Sequence, residues 1–119
     1  MRWPLHPDTG TIDLTTTGRR SGRQIRIEIW YVVLDGEVHL TGTPRTRHWL
    51  ANLRHLPEAT IHVGGSDLPV HSEEVVDPDA RRRLVPLIWA VQPWYREANP
   101  DIDDWVARSP MVRLTPRRP

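Results

Sequence analysis

Residues Gln24-Ile25-Arg26-Ile27-Glu28-Ile29-Trp30-Tyr31-Val32-Val33-Leu34 alternate polar and apolar side chains, then run straight into Asp35-Gly36. A two-residue period marks a strand. Asp-Gly tolerates the left-handed backbone of a tight hairpin better than almost any other pair. The chain must therefore reverse at Gly36 and return antiparallel through Glu37–Thr41, with Val38 and Leu40 inward beside Ile25, Ile27 and Ile29.

The neighbouring segments repeat this logic. Thr11–Thr17 is β-branched and alternating, with Ile12 and Leu14 on one side, and it meets Gln24 through the short turn Gly18–Gly22. Thr60–Val63 and Leu68–Val76 read as two more strands around the turn Gly64-Gly65-Ser66-Asp67, and Pro110–Leu114 as a last one. Helices are expected between them. Thr46 can cap one through Arg47–Leu56, which Pro57 stops. Asp77-Pro78 opens a second with Leu84, Leu87, Ile88 and Val91 inward and a kink or break at Pro86. Asn99-Pro100 opens a third, through Trp105. Hairpin-length links between strands favour an antiparallel sheet over parallel crossovers. The expected fold is mainly β, of the α+β kind: a small barrel of about six antiparallel strands with two or three flanking helices. Residues 1–10 read as an irregular arm and 11–119 as one domain.

Composition removes several chemistries. The chain has no cysteine, which excludes disulfides, thiol nucleophiles and cysteine-bound metal. All sixteen basic residues are arginine, so no lysine amine can form a Schiff base. The net charge of +1 gives no general pull on nucleic acid. No apolar run is long enough for a transmembrane helix and the N-terminus carries no signal-peptide core, so a cytoplasmic location is expected. The six histidines show neither His-x-His nor His-Glu-x-x-His spacing, so no metal is expected. His39, His62 and His71 fall at outward strand positions. Arg81-Arg82-Arg83 is too short a run to mark a nucleic-acid site.

The densest chemistry lies in Leu14-Thr15-Thr16-Thr17-Gly18-Arg19-Arg20-Ser21-Gly22-Arg23. Glycines let a backbone turn and approach a ligand closely. Arginine forks suit phosphate and carboxylate. The turn reads as an anion grip, a backbone nest reinforced by Arg19, Arg20 and Arg23, or as a solvated hairpin end kept soluble by its charges. It is not a P-loop, whose lysine and glycine spacing are missing. Six tryptophans in a chain without phenylalanine suggest a flat pocket or a capped barrel end.

This turn, the following strand ending Trp30-Tyr31 and the hairpin Asp35-Gly36 together resemble the deazaflavin-dependent nitroreductase family, the split β-barrel, coenzyme F420-dependent oxidoreductases of actinobacteria. The segment Gly42-Thr43-Pro44 through Trp49-Leu50-Ala51-Asn52-Leu53 to Pro57 is similar to the family's second signature, and Ser109–Leu114 continues the likeness. The resemblance implies a split, FMN-binding-like barrel with F420 across it. Arg19, Arg20, Ser21, Gly22 and Arg23 would meet the phosphate and acidic tail; Gly42, Thr43, Pro44, Trp49 and Asn52 would hold the ring. It further implies an acceptor pocket of Trp30, Trp94 and Tyr95, with Tyr95 as proton donor, and a small-molecule hydride acceptor of the nitro-aromatic or quinone class. Both a monomer and a face-to-face homodimer stay open. The family often has arginine where this chain has Ile25. FMN in place of F420, and a non-catalytic cofactor-binding module, are the competing readings.

Overall fold

A computed structural model describes Leu5 and residues 7–117. Six strands, β1 (Thr9–Thr17), β2 (Gln24–Leu34), β3 (Glu37–Thr41), β4 (Glu58–Val63), β5 (Ser66–Glu74) and β6 (Met111–Pro116), alternate with α1 (His48–His55), α2 (Pro78–Val91), α3 (Trp94–Ala98) and α4 (Ile102–Arg108). The strands close a barrel in the order β1-β2-β3-β6-β5-β4, every pairing antiparallel. Asp35 (φ 51°) and Gly36 (φ 77°) make the tight hairpin that the dipeptide demands. Gly64 and Gly65 do the same between β4 and β5, so that turn is two residues rather than four and β5 begins at Ser66.

There are two cores. Inside the barrel, Ile12, Leu14, Ile29, Tyr31, Leu40, Ile61 and Val112 pack around Trp49, Leu50 and Leu53 of α1, which plugs one end. Outside it, Val32, Leu34 and Met111 meet Leu84, Val85 and Ile88 of α2, Tyr95 of α3 and Trp105 of α4. The unbroken apolar run Tyr31-Val32-Val33-Leu34 is explained by this second layer: the strand is buried on both faces there.

The same layer corrects several expectations. His39 is buried rather than outward-facing, with Nδ1 3.0 Å from the Glu37 carbonyl, and burial lowers its pKa. In α2 the buried residues Arg81, Leu84, Val85 and Ile88 follow the i, i+3, i+4, i+7 stripe, which leaves Leu87 exposed. Pro86 neither splits nor ends that helix. Ile25 is 40% exposed, because its end of β2 overhangs the barrel mouth. The first helix is capped by the backbone of Arg47 rather than by the Thr46 side chain. The last starts at Ile102, where Asp101 accepts from the Asp103 and Asp104 N–H groups. The five-residue α3 was not expected; Pro93 is its N-cap. Strand β1 starts at Thr9, inside the expected arm, and the Val33 N–H donates to Asp8 O (2.7 Å).

One arginine stitches the outer layer. Arg81, 7% exposed, donates to the carbonyls of Val75 (2.8 Å), Val106 (2.6 Å), Trp105 (3.2 Å) and Ser109 (2.6 Å). This explains the Arg81-Arg82-Arg83 run in part: one member is structural, and Arg82 pairs with Asp103 at the surface. Replacing Arg81 with leucine strands the carbonyls of Val75, Val106 and Ser109, while that of Trp105 keeps the Ser109 N–H and hydroxyl. We expect a loss of about 3–5 kcal/mol and a fall of about 10 °C or more in Tm by calorimetry.

Candidate functional site

The hairpin between β1 and β2 is pinned from within. Gly18 N–H donates to Arg23 O (2.7 Å), Gly22 N–H to Gly18 O (2.9 Å) and Arg23 N–H to Ser21 Oγ (3.1 Å). Gly22 sits at φ +72°, a left-handed conformation that favours glycine. Arg19 N–H is taken by Asn52 Oδ1 (3.2 Å), which also accepts from Arg19 Nη1 (2.9 Å). The donors of a backbone nest are thus largely spent inside the protein, and an anion here would be held by side chains. Asn52, 3% exposed on the plug helix, donates its other end to Thr16 Oγ1 (3.3 Å). Its role is to fasten Arg19.

Between this hairpin and α1 lies a cleft of about 450 Å³. Arg19, Arg20, Ser21, Arg47, His48 and Asn52 supply its polar rim, and Ile25, Ile27 and Trp49 its apolar wall. It thus gathers Arg19, Arg20, Ser21, Trp49 and Asn52 from the residues expected at a cofactor. Gly22, Arg23, Gly42, Thr43 and Pro44 do not line it. Arg47, which sequence reading passed over, connects that second loop to the cleft. Its Nη2 donates to Thr43 O (3.1 Å), its Nη1 to Arg45 O (3.0 Å). A Cβ on Gly42 would come within 2.7 Å of Nη2, so glycine there makes room for the guanidinium. Burial, then the nearby charge of Arg45, lowers the Arg47 pKa.

A second cavity of about 390 Å³ is walled by Trp30, Gln92, Trp94 and Tyr95. The structure therefore brings the three expected pocket aromatics together and adds Gln92. Trp30 projects from the outer face of β2 and Trp94 from α3, both largely exposed. Tyr95 is held edge-on between Trp94 (5.7 Å between centroids) and the fully buried Trp105 (5.5 Å). Trp89 is not in the slot; it packs on Trp105 at 6.0 Å. Tyr95 is 4% exposed, and its hydroxyl has no hydrogen-bond partner among the described residues. Burial pushes its phenol up to about 12, while the charge of Arg47 pulls the other way. Arg47 thus lines the cleft and acts electrostatically on the slot.

Among the described residues no group of three or more histidines, cysteines or carboxylates could hold a metal, and no helix is long and apolar enough to cross a membrane.

The arginine-rimmed cleft and the aromatic slot are carried by a six-stranded split β-barrel of the FMN-binding-like kind. The chain belongs to the F420H(2)-dependent quinone reductase family, whose model matches residues 3–107. The conserved hypothetical protein Rv2991 of Mycobacterium tuberculosis is similar in structure at 27% identity, with a TM-score of 0.64 over 91% of this chain and 73% of that one. An F420-H2 dependent reductase, FDR-A, aligns at 21% identity and TM-score 0.67, covering 88% and 93% of the two chains. A putative pyridoxamine 5'-phosphate oxidase from Listeria innocua shares the fold at 11% identity and TM-score 0.63, over 91% and 84%. A search of curated proteins gives no match.

The enclosed phenols make an alkaline test. Burial raises the pKa of Tyr31 as well, and the chain has only these two tyrosines. Both are neutral in either state below pH 10, so their contribution to stability is intact there. It is lost as pH climbs through 10, where the unfolded chain ionises ahead of the folded one, and for Tyr95 the loss extends toward pH 12. Ultraviolet absorbance at pH 10 should show less phenolate in the folded protein than in the half-ionised chain in urea.

Proposed function

We propose that this chain binds reduced coenzyme F420 in the cleft and serves the reduction of an electron-poor acceptor, a quinone or nitro-aromatic, held in the slot. The observation that carries this reading is the coupling of the two cavities. An arginine rim suited to phosphate and carboxylate is linked to the aromatic slot through Arg47, which lines the cleft and lies near enough for its charge to act on the Tyr95 phenol, a hydroxyl with no hydrogen-bond partner among the described residues.

The donor set fits the group. Arg19 and Arg20 offer forks for phosphate and an acidic tail, and the Ser21 hydroxyl hydrogen remains free to donate. Ile25, Ile27 and Trp49 supply apolar surface for a planar ring. When bound, the reduced deazaflavin supplies the hydride, and the protein binds, orients and excludes water. Asn52 keeps Arg19 at the cleft by accepting from it twice. Trp30 and Trp94 face the acceptor with flat surfaces. Tyr95 holds a proton at its hydroxyl oxygen, where burial keeps it protonated at neutral pH and ready to donate to a reduced acceptor. This reading prefers F420 to FMN because of the family to which the chain belongs.

Two variants separate the roles. Arg19→Ala with Arg20→Ala should weaken F420 binding, followed by quenching of tryptophan fluorescence, by about tenfold or more, since each charge-assisted contact contributes about 1.5–3 kcal/mol. Tyr95→Phe should leave that affinity intact and slow menadione-dependent oxidation of F420H2 by roughly 10²-fold. Unchanged affinity in the double variant would refute the cleft as the anion site. Tight binding without turnover on quinones or nitro-aromatics would identify a carrier instead of an enzyme.

A further inference from the structure

We infer that Gln92 determines acceptor specificity in the slot, its side-chain amide donating a hydrogen bond to a carbonyl oxygen of a quinone. The inference rests on the reading of the slot as the acceptor site and adds the group that selects among flat molecules.

Three of the four slot residues are aromatic, and aromatic walls accept any flat ring of suitable size. Discrimination must come from polar atoms. The side chains offer the Tyr95 hydroxyl, the Gln92 amide and the indole N–H groups of Trp30 and Trp94, and of these only the amide has its orientation set by a hydrogen bond among the described residues. Gln92 is also the better fixed of the two ends of the α2–α3 junction. It is the C-cap of α2, its N–H donating to Ile88 O (2.9 Å), and its carbonyl accepts from Tyr95 N–H (3.1 Å). Its side-chain Oε1 accepts from Trp94 N–H (3.4 Å). Because a backbone N–H must meet an oxygen, this contact assigns the two ends of the amide chemically. The oxygen faces the α3 backbone and the Nε2 group is the free end, with no partner among the described residues. A slot lined by a free amide donor and a neutral phenol rewards ligands that carry acceptor oxygens. It gives nothing to the corresponding hydrocarbon, which would leave both donors unpaired.

The test is direct binding without cofactor, by quenching of Trp30 and Trp94 with menadione, and competition by 2-methylnaphthalene, which has the same ring outline and no carbonyl. Wild-type protein should prefer menadione. In Gln92→Leu the menadione affinity should fall roughly three- to tenfold, the range of one neutral hydrogen bond, with the hydrocarbon's affinity changed less than about twofold on the same scale. Gln92→Glu keeps an oxygen for the Trp94 N–H and replaces the donor with a carboxylate. It should lose at least as much menadione affinity while retaining the circular dichroism and Tm of the wild type, which separates loss of the donor from damage to the α2–α3 junction. If both variants keep the wild-type preference for menadione, Gln92 does not read the oxygen, although the slot still binds the ring. If menadione fails to bind wild-type protein at all, the slot is not the acceptor site and this proposal falls with it.

Discussion

Strand β3 touches water almost nowhere. Of its five residues only Glu37 is exposed: Val38 and Leu40 face the barrel core, while His39 and Thr41 on the other face lie beside Val32 of β2 and Met111 of β6, the residues that the helical layer covers. That constraint shapes most of what surrounds it. Its neighbours carry the apolar outer surface, Val32 and Leu34 of β2 and Met111 of β6, which needs a cover outside the barrel, and α2, α3 and α4 supply it. Burying Val32, Leu34 and Met111 against Val85, Ile88 and Trp105 removes several large side chains from water, each contributing about 1.5–3 kcal/mol. The cover in turn brings the backbone carbonyls of Val75, Trp105, Val106 and Ser109 toward one point, where Arg81 satisfies them. It also fixes α3, and with it the position of Tyr95 beside Trp30. The slot is a consequence of covering a strand.

The cleft is built on a different principle. Here the barrel mouth is left partly open, and Ile25 and Ile27, in phase with the inner face of β2, run out of neighbours and become wall. The hairpin's glycines serve the turn itself rather than a ligand, since its amides bond inward. What remains for an anion is side-chain charge, with Arg19 immobilised by Asn52 and Arg20 free. A grip of that kind depends on the placement of two guanidiniums more than on backbone shape.

The succession of strands and their three hairpins could be read from alternation and turn chemistry, because period two and Asp-Gly are local signals; the pairings of β6 with β3 and β5 and of β1 with β4, which close the barrel, could not. Tyr95, Trp30 and Trp94 were also legible together, though only through resemblance, since they lie far apart in sequence. The misses share a physical cause: each concerns a second layer or a side-chain network that local pattern does not encode. His39 alternates properly with apolar neighbours, yet it is buried beside Val32 on the outer face of the barrel. Leu87 looks as apolar as Val85, and only the phase of α2 against the sheet decides which is buried. Asn52 carries no mark in the sequence that it bonds to a residue more than thirty positions earlier. Arg47 reads in sequence only as the start of a helix. Its capture by Thr43 and Arg45 carbonyls depends on a loop shape that composition does not reveal.

The contact between Gly42 and Arg47 has a consequence for how such chains can vary. The guanidinium occupies the space that any side chain at position 42 would need. A side chain at position 42 must push the Arg47 head group aside, and moving or shortening Arg47 releases the Thr43 carbonyl it holds. The two sites are therefore coupled through one guanidinium. A larger residue at the first is best matched by a shorter one at the second, and either change undoes the link between the loop and the cleft.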